Sequence, residues 1–187
     1  MGPPADAGAR ALLAGGLVVH PTDTLYALAA RAADHEAVGR LVAAKGRASD
    51  RPLSVSVSST EELERWAELD PRARRFARSE LPGPFTLLLR PSEEAHRLLA
   101  PEVAGGATIG LRVPDHPLAR ELARRAGPTV ATSANRSGEP AARTLAEARR
   151  ALGPAVSVYL SAPPRPSGVP STVVDLTGAR VRRIARR

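Results

Sequence analysis

The stretch Leu53-Ser54-Val55-Ser56-Val57-Ser58 alternates apolar and hydroxyl side chains without a break. Successive side chains of a strand point to opposite faces, so the pattern predicts a strand with Leu53, Val55 and Val57 toward a core and the serines facing elsewhere. Upstream, residues 34–44 carry Ala37, Val38, Leu41 and Val42 at helical spacing, and a basic loop, 45–52, joins that helix to the strand. Downstream, Ser59-Thr60-Glu61-Glu62 has the form of a capping box and predicts a helix to Glu68, while Asp70-Pro71 opens another to about Glu80. Strands alternating with helices indicate an α/β sheet.

The same alternation runs to both ends of the chain. Residues 6–14 read as a helix stopped by Gly15-Gly16, followed by a strand over 17–20 and a turn at Pro21. Residues 85–90 and 108–113 read as buried strands, and Pro114-Asp115 as the N-cap region of a helix through Ala126. A strand over 129–132, a loop over 133–140 and a second capping box at Thr144-Leu145-Ala146-Glu147 come next. Residues 156–160 are strand-like, 161–170 are a proline-rich turn region, and strands over 171–176 and 180–184 flank a hairpin turn at Thr177-Gly178. The expected fold is α/β, one domain over residues 1–187, built on a mixed β-sheet flanked by helices.

Composition narrows the function. The chain has 187 residues, 43% hydrophobic and 25% charged, enough for one sizeable core and too few for two full domains. It has no cysteine, which excludes disulfide, thiol-nucleophile and thiolate-metal chemistry. No apolar run approaches the roughly 20 residues that cross a bilayer, and Met1-Gly2-Pro3-Pro4 does not open a signal peptide, so a soluble cytoplasmic protein with no membrane contact is expected. The formal net charge of +8 favours an anionic partner, while 3% aromatic residues leave little on which to stack bases. All but one of the 27 basic residues are arginine; the exception, Lys45, stands where a compact ammonium serves and a planar guanidinium does not.

Polar clusters interrupt the regular pattern next to strands, where α/β folds gather binding loops. They are Pro21-Thr22-Asp23-Thr24-Leu25-Tyr26, the loop Lys45-Gly46-Arg47 with Arg51, Thr132-Ser133-Ala134-Asn135, and Ser171-Thr172 with the terminal arginines Arg183, Arg186 and Arg187. Cations and hydroxyls with a permissive glycine suit a phosphate or a carboxylate. Neither a G-x-x-x-x-G-K-[ST] loop nor a G-x-G-x-x-G fingerprint occurs, so any ATP site lies outside both motifs. His20, His35, His96 and His116 lack metal-ligand spacing, so no metal site is expected, and no G-x-S-x-G elbow marks a serine hydrolase.

Six segments in order resemble the YrdC-like threonylcarbamoyl-AMP synthases. They are residues 20–26 (HPTDTLY), Lys45-Gly46-Arg47 with Arg51-Pro52-Leu53, 81–86 (LPGPFT), 109–114 (IGLRVP), 133–138 (SANRSG) and 170–175 (PSTVVD). The resemblance implies a twisted mixed sheet with a basic concave face, similar to the RibB-type α/β fold. It also implies an ATP-dependent nucleotidyltransferase that converts L-threonine, bicarbonate and ATP to L-threonylcarbamoyl-AMP and pyrophosphate, for t6A modification of tRNA at position 37. By the same resemblance Lys45 and Arg47 are catalytic, and Thr24, Arg112, Ser133 and Ser171 hold L-threonine. Arg47, Arg51, Thr108, Asn135 and Arg186 contact the nucleotide. Mg2+ is expected with ATP, and tRNA and the downstream threonylcarbamoyl transferase machinery are expected partners. The second reading is an RNA- or tRNA-binding protein of the same fold without synthase activity. Ser56 stands where some members carry a threonine-contacting histidine, and Arg143 where many carry threonine; neither role is transferred.

Overall fold

A computed structural model of the chain describes residues 2–46, 53–178 and 180–184. Helix α1 (Pro3–Leu13) leads into strands β1 (Val18–Pro21) and β2 (Tyr26–Arg31), then helix α2 (His35–Lys45) and strand β3 (Ser54–Ser56). Next come α3 (Leu63–Trp66), β4 (Ala67–Glu68), α4 (Pro71–Glu80), β5 (Phe85–Pro91), α5 (Glu93–Leu98) and α6 (Pro101–Ala104). Strand β6 (Ile109–Arg112), helix α7 (Pro117–Ala126), β7 (Thr129–Ser133), α8 (Leu145–Leu152), β8 (Val158–Tyr159), β9 (Thr172–Asp175) and β10 (Arg182–Ile184) complete the order.

Local chemistry sets several helix starts. Asp34 Oδ1 accepts from Ala37 N at 2.9 Å to cap α2, and Asp70 Oδ1 from Ala73 N at 2.7 Å to cap α4, which then has Pro71 in its first turn. The second capping box forms as expected: Thr144 Oγ1 accepts from Glu147 N, and the Glu147 carboxylate accepts from Arg143 N. At the first, Glu62 reaches back in the same way to accept from Ser58 N at 2.8 Å, but no side chain caps the helix, which is the single turn α3, after which the chain extends as β4 against β5. Asp115 is not the cap of α7; that position is His116, and Asp115 pairs with Arg120 at 3.1 Å.

The strands form a mixed sheet in the order β10-β9-β5-β6-β3-β7-β2-β1-β8, with β4 beside β5. Pairs β3/β6, β5/β9 and β1/β8 are parallel, and the rest of that path is antiparallel. This is the expected twisted mixed sheet flanked by helices. Strand β2 and helices α5 and α6 are absent from the sequence reading. Five of the six residues of β2 are buried, three of them alanines, so the strand has no polar side to alternate. Pro21, expected to turn the chain, is instead the last residue of β1, opposite Tyr26; the turn lies in 22–25, closed by Thr22 N donating to Leu25 O.

Register separates the sheet's two faces. On one side, Val19 pairs with Leu28, and Val130, Val55, Leu111 and Leu87 pair in turn across their strands, all six without exposed surface, within the large core cluster that also takes in residues of α2, α4 and α8. On the other, Ser133, Ser54, Ser56, Arg112 and Thr86 share a side. Its β1–β2 end is apolar, where Val18 and Ala29 pack with Leu12 of α1 and Leu118 and Leu122 of α7. The polar part of this second face positions the site.

Candidate active site

The Thr22–Leu25 turn is tied by its own hydroxyl. Thr22 Oγ1 donates to Leu25 O at 2.7 Å and accepts from Leu25 N at 3.1 Å and Thr24 N at 3.2 Å. This fixes Asp23 and Thr24 at the apex, where they meet Arg112 from the end of β6. Arg112 Nη2 donates to Asp23 Oδ1 at 2.6 Å and Nη1 to Thr24 Oγ1 at 2.8 Å. In the sheet, β3 and β7 stand between β6 and β2, so this contact requires the sheet to curl toward its polar face. Burial lowers the Arg112 pKa, and the Asp23 carboxylate opposes that shift by pairing with the guanidinium.

A strap from the proline-rich segment lies on the same turn. Ser167 N donates to Asp23 O at 3.1 Å and Gly168 N to Thr24 O at 2.8 Å. Gly168 has φ +82°, a left-handed conformation that a side chain would oppose. Leu25, Ala142, Arg143, Pro166, Ser167, Gly168 and Val169 line a cavity of about 250 Å3 beside the turn.

A second cluster forms where α2 ends. Lys45 Nζ, buried, donates to Ser133 O at 2.7 Å, Asn135 O at 2.6 Å and Asn135 Oδ1 at 3.1 Å. Asn135 Nδ2 donates to Glu139 O at 2.6 Å and Arg136 O at 3.0 Å, and Ser137 N donates back to Lys45 O at 2.7 Å. Gly46, at φ 58°, ends the helix in the left-handed conformation that turns the chain away. The lysine thus organises the 133–137 loop with its charge as well as its donors, a geometry that suits an ammonium better than a guanidinium fork. The two clusters adjoin, because Ala134 N donates to Tyr26 O at 2.9 Å, two residues from Thr24.

Of the expected site residues, Thr24 and Arg112 touch directly, as do Lys45, Ser133 and Asn135. Ser171 is buried at the far side of the polar face, its Oγ 2.9 Å from Thr86 Oγ1. Thr108 is half-buried just ahead of β6. Arg47, Arg51 and Arg186 lie outside the described residues. Asp23, Thr22 and the Ser167-Gly168 strap were not assigned to the site from sequence. The polar run around Asp23 was the available signal, but its partner Arg112 lies 89 positions away in the chain, a pairing that only the sheet order brings about.

Among the described residues no three or more acidic or histidine side chains converge as metal ligands, and no helix is long and apolar enough to cross a membrane. The residues present offer cations, hydroxyls and carbonyls, a set for binding and orienting anions and amino groups.

Comparison with known proteins agrees with this geometry. The family model Sua5/yciO/yrdC, described as telomere recombination, matches residues 10–187. A Mycobacterium tuberculosis relative is 42% identical over 173 residues, covering 92% of this chain and 78% of its own length. The threonylcarbamoyl-AMP synthase of Chromohalobacter salexigens is 38% identical over 176 residues, covering 92% of this chain and 93% of that one. Among solved structures, Pyrococcus abyssi Sua5 complexed with L-threonine superposes with a TM-score of 0.87 at 34% identity, over 95% of this chain. The chain spans about half the length of that protein, 52%. By sequence and by structure, then, the chain belongs to the Sua5/YciO/YrdC family.

Proposed function

We propose that this protein is a threonylcarbamoyl-AMP synthase, a nucleotidyltransferase that joins L-threonine, bicarbonate and ATP. The observation that carries the reading is the junction of two polar clusters, Lys45 with Ser133 and Asn135 on one side and Arg112 with Asp23 and Thr24 on the other. Names and structures of relatives support it: curated members with 38% identity in Bacillus subtilis and Pyrococcus abyssi are threonylcarbamoyl-AMP synthases.

The reaction needs no nucleophile from the protein. The threonine amine attacks the carbonate carbon, giving a carbamate with loss of water; a carbamate oxygen then attacks the α-phosphorus of ATP and pyrophosphate leaves. The work left to the chain is to hold three small anionic or zwitterionic reactants together and to offset charge that builds on phosphate oxygens. Lys45 supplies positive charge at the junction, and Arg47 is its proposed catalytic companion. Ser133, Thr24, Arg112 and Ser171 are the proposed threonine contacts; Arg47, Arg51, Thr108, Asn135 and Arg186 are those to the nucleotide. Since no cage of acidic side chains gathers among the described residues, Mg2+ enters the proposal as the companion of the triphosphate, Mg·ATP, and not as a resident ion.

The net charge of +8 fits a cytoplasmic enzyme that works beside tRNA and passes its product to the downstream threonylcarbamoyl transferase. Pyrophosphate release from Mg·ATP by the purified protein tests the reading. It should require both L-threonine and bicarbonate, and Lys45→Ala should reduce it by about 100-fold or more, on the scale of losing a group that stabilises transition-state charge. A folded wild-type protein that releases none would refute the synthase reading and leave the tRNA-binding alternative.

A further inference from the structure

We infer that His116 is a positioning residue for amino-acid binding: its Nε2–H holds the proline-rich strap at Pro164 O, and the strap in turn fixes the Asp23–Thr24 turn and Ser171. The inference rests on the amino-acid reading of the site given above and adds to it a side chain that acts through the strap.

The strap has little slack. Residues 160–171 join β8 to β9, and β5, β6, β3, β7, β2 and β1 lie between those two strands in the sheet. At about 4.8 Å per strand the crossing is about 34 Å in a flat sheet, against a full reach of about 45 Å for the linking chain. The link passes the end of the sheet where Thr24 follows β1 and where Arg112 and Ser133 close β6 and β7. Pro163, Pro164, Pro166 and Pro170 stiffen it and carry no backbone donor. In a stiff segment held at a few points, release of one anchor shifts the next.

The anchors are specific. At the start Leu160 N donates to Val19 O at 2.8 Å; at the end Ser171 Oγ lies 2.9 Å from Thr86 Oγ1, and Thr172 N donates to Pro84 O at 2.9 Å. Between them Ser167 N and Gly168 N donate to the carbonyls of Asp23 and Thr24, and His116 Nε2 meets Pro164 O at 3.0 Å. A carbonyl only accepts, so Nε2 carries the proton. Pro164 is exposed and His116 has no exposed surface, so this contact ties a surface segment to the interior. His116 also stands at the N-cap of α7 and makes no side-chain cap bond there. That position favours a short side chain accepting from the helix amides; here it carries a ring turned to the strap instead. Two proposed threonine contacts depend on the result, Thr24 through Gly168 and Ser171 as the strap's own end.

His116→Gln and His116→Asn separate the contact from the ring. Glutamine carries its amide nitrogen about where Nε2 lies and still donates to Pro164 O. Asparagine carries its own about where Nδ1 lies and falls short of Pro164, while being a favoured N-cap for α7. His116→Asn should therefore keep a urea midpoint close to that of wild type, the gained cap offsetting the lost contact. In pyrophosphate release it should raise KM for L-threonine by about 10-fold, the scale of one buried hydrogen bond, with kcat within about threefold. Hydrogen exchange without substrate should be about 10-fold faster in that variant for peptides covering Ser167 and Gly168, and unchanged for residues 71–80 of α4. His116→Gln should stay close to wild type in both measurements. Wild-type KM and exchange in His116→Asn, equal losses in the two variants, or a loss confined to kcat would each overturn the proposal. A wild-type protein that uses no L-threonine would instead refute the amino-acid reading, and exchange at Ser167 and Gly168 would still decide whether His116 holds the strap.

Discussion

The two faces of one sheet do different work. Val55, Leu111, Leu87 and Val130 are wholly buried on one; Ser56, Arg112, Thr86 and Thr129, each the sequence neighbour of one of these, lie on the other. Both sets are buried, but the first is held by packing, while in the second Thr86 is held by a side-chain hydrogen bond and Arg112 by hydrogen bonds and a charge pair. Apolar burial is worth roughly 25 cal/mol per Å2 and is indifferent to direction, whereas a buried polar group gains little net and must be aimed. Stability should therefore reside mainly on the apolar face and function on the polar one. Because side chains alternate with period two, a one-residue slip in register would exchange them, so the apolar face also holds the site in place.

The sharpest attempt to break this division is Leu111→Ala against its neighbour Arg112. Leu111 has no exposed surface and sits between Val55 and Leu87 in the register. Its truncation should cost about 2–5 kcal/mol in urea-induced unfolding, through lost transfer energy and a residual cavity. Pyrophosphate release per folded molecule should stay within about twofold, since a change on the apolar face leaves the aimed groups where they are. A large loss of activity in protein still folded would mean that the faces are mechanically coupled.

A smaller effect comes from His20, at the end of β1 on the polar side. It is 1% exposed, with Nδ1 3.0 Å from Pro21 O and Nε2 without a partner among the described residues. Burial drops its pKa from 6.5 to about 4; the contact with Pro21 O opposes the shift, and nearby His116, itself lowered by burial, adds to it. The unfolded chain takes up a proton near pH 6.5 that the folded one refuses until about pH 4. Stability is thus full above about pH 6.5 and falls as the pH drops between these values. From pH 7 to pH 5 the loss assigned to His20 is about 2 kcal/mol. His20→Asn, which keeps a donor for Pro21 O and does not titrate, should flatten that part of the profile. Identical pH dependence of wild type and variant in urea unfolding would remove His20 from the account.

Legibility in the sequence followed the same division. The period-two run at 53–58 was readable because the faces differ in polarity; its apolar residues are buried as expected. Strand β2 was not, because it is apolar on both sides and rich in alanine, and propensity cannot outweigh the tertiary burial that makes it a strand. The capping signal at Ser59 failed for a related reason, since no side chain caps α3 and the chain was needed as β4 against β5. At the site, residue types were legible and partners were not. Lys45 was singled out by its rarity, but its link to Ser133 and Asn135 spans about 90 residues and follows only from where α2 ends beside β7. The same holds for Asp23 and Arg112, which meet because the sheet curls.

The finest distinction between the faces is made at Gly110, on the polar side of β6 between Ser54 and Leu88 in register. A methyl group built there would lie 3.5 Å from Ser54 Cα, Ser54 Cβ and Thr86 Cγ2, which is ordinary contact. Alanine also costs the unfolded chain conformational freedom and is better tolerated than glycine inside a strand. Gly110→Ala should therefore change stability by less than about 1 kcal/mol, in the stabilising direction, where a comparable added volume on the close-packed apolar face would cost about 1–3 kcal/mol. Its effect should fall on pyrophosphate release, since the new methyl narrows the floor beside Thr86 and Arg112. Urea unfolding and turnover measured on one preparation decide it. A loss of stability approaching that of Leu111→Ala would mean that the polar face is packed as tightly as the apolar one, and that the separation of roles drawn from their chemistry does not hold.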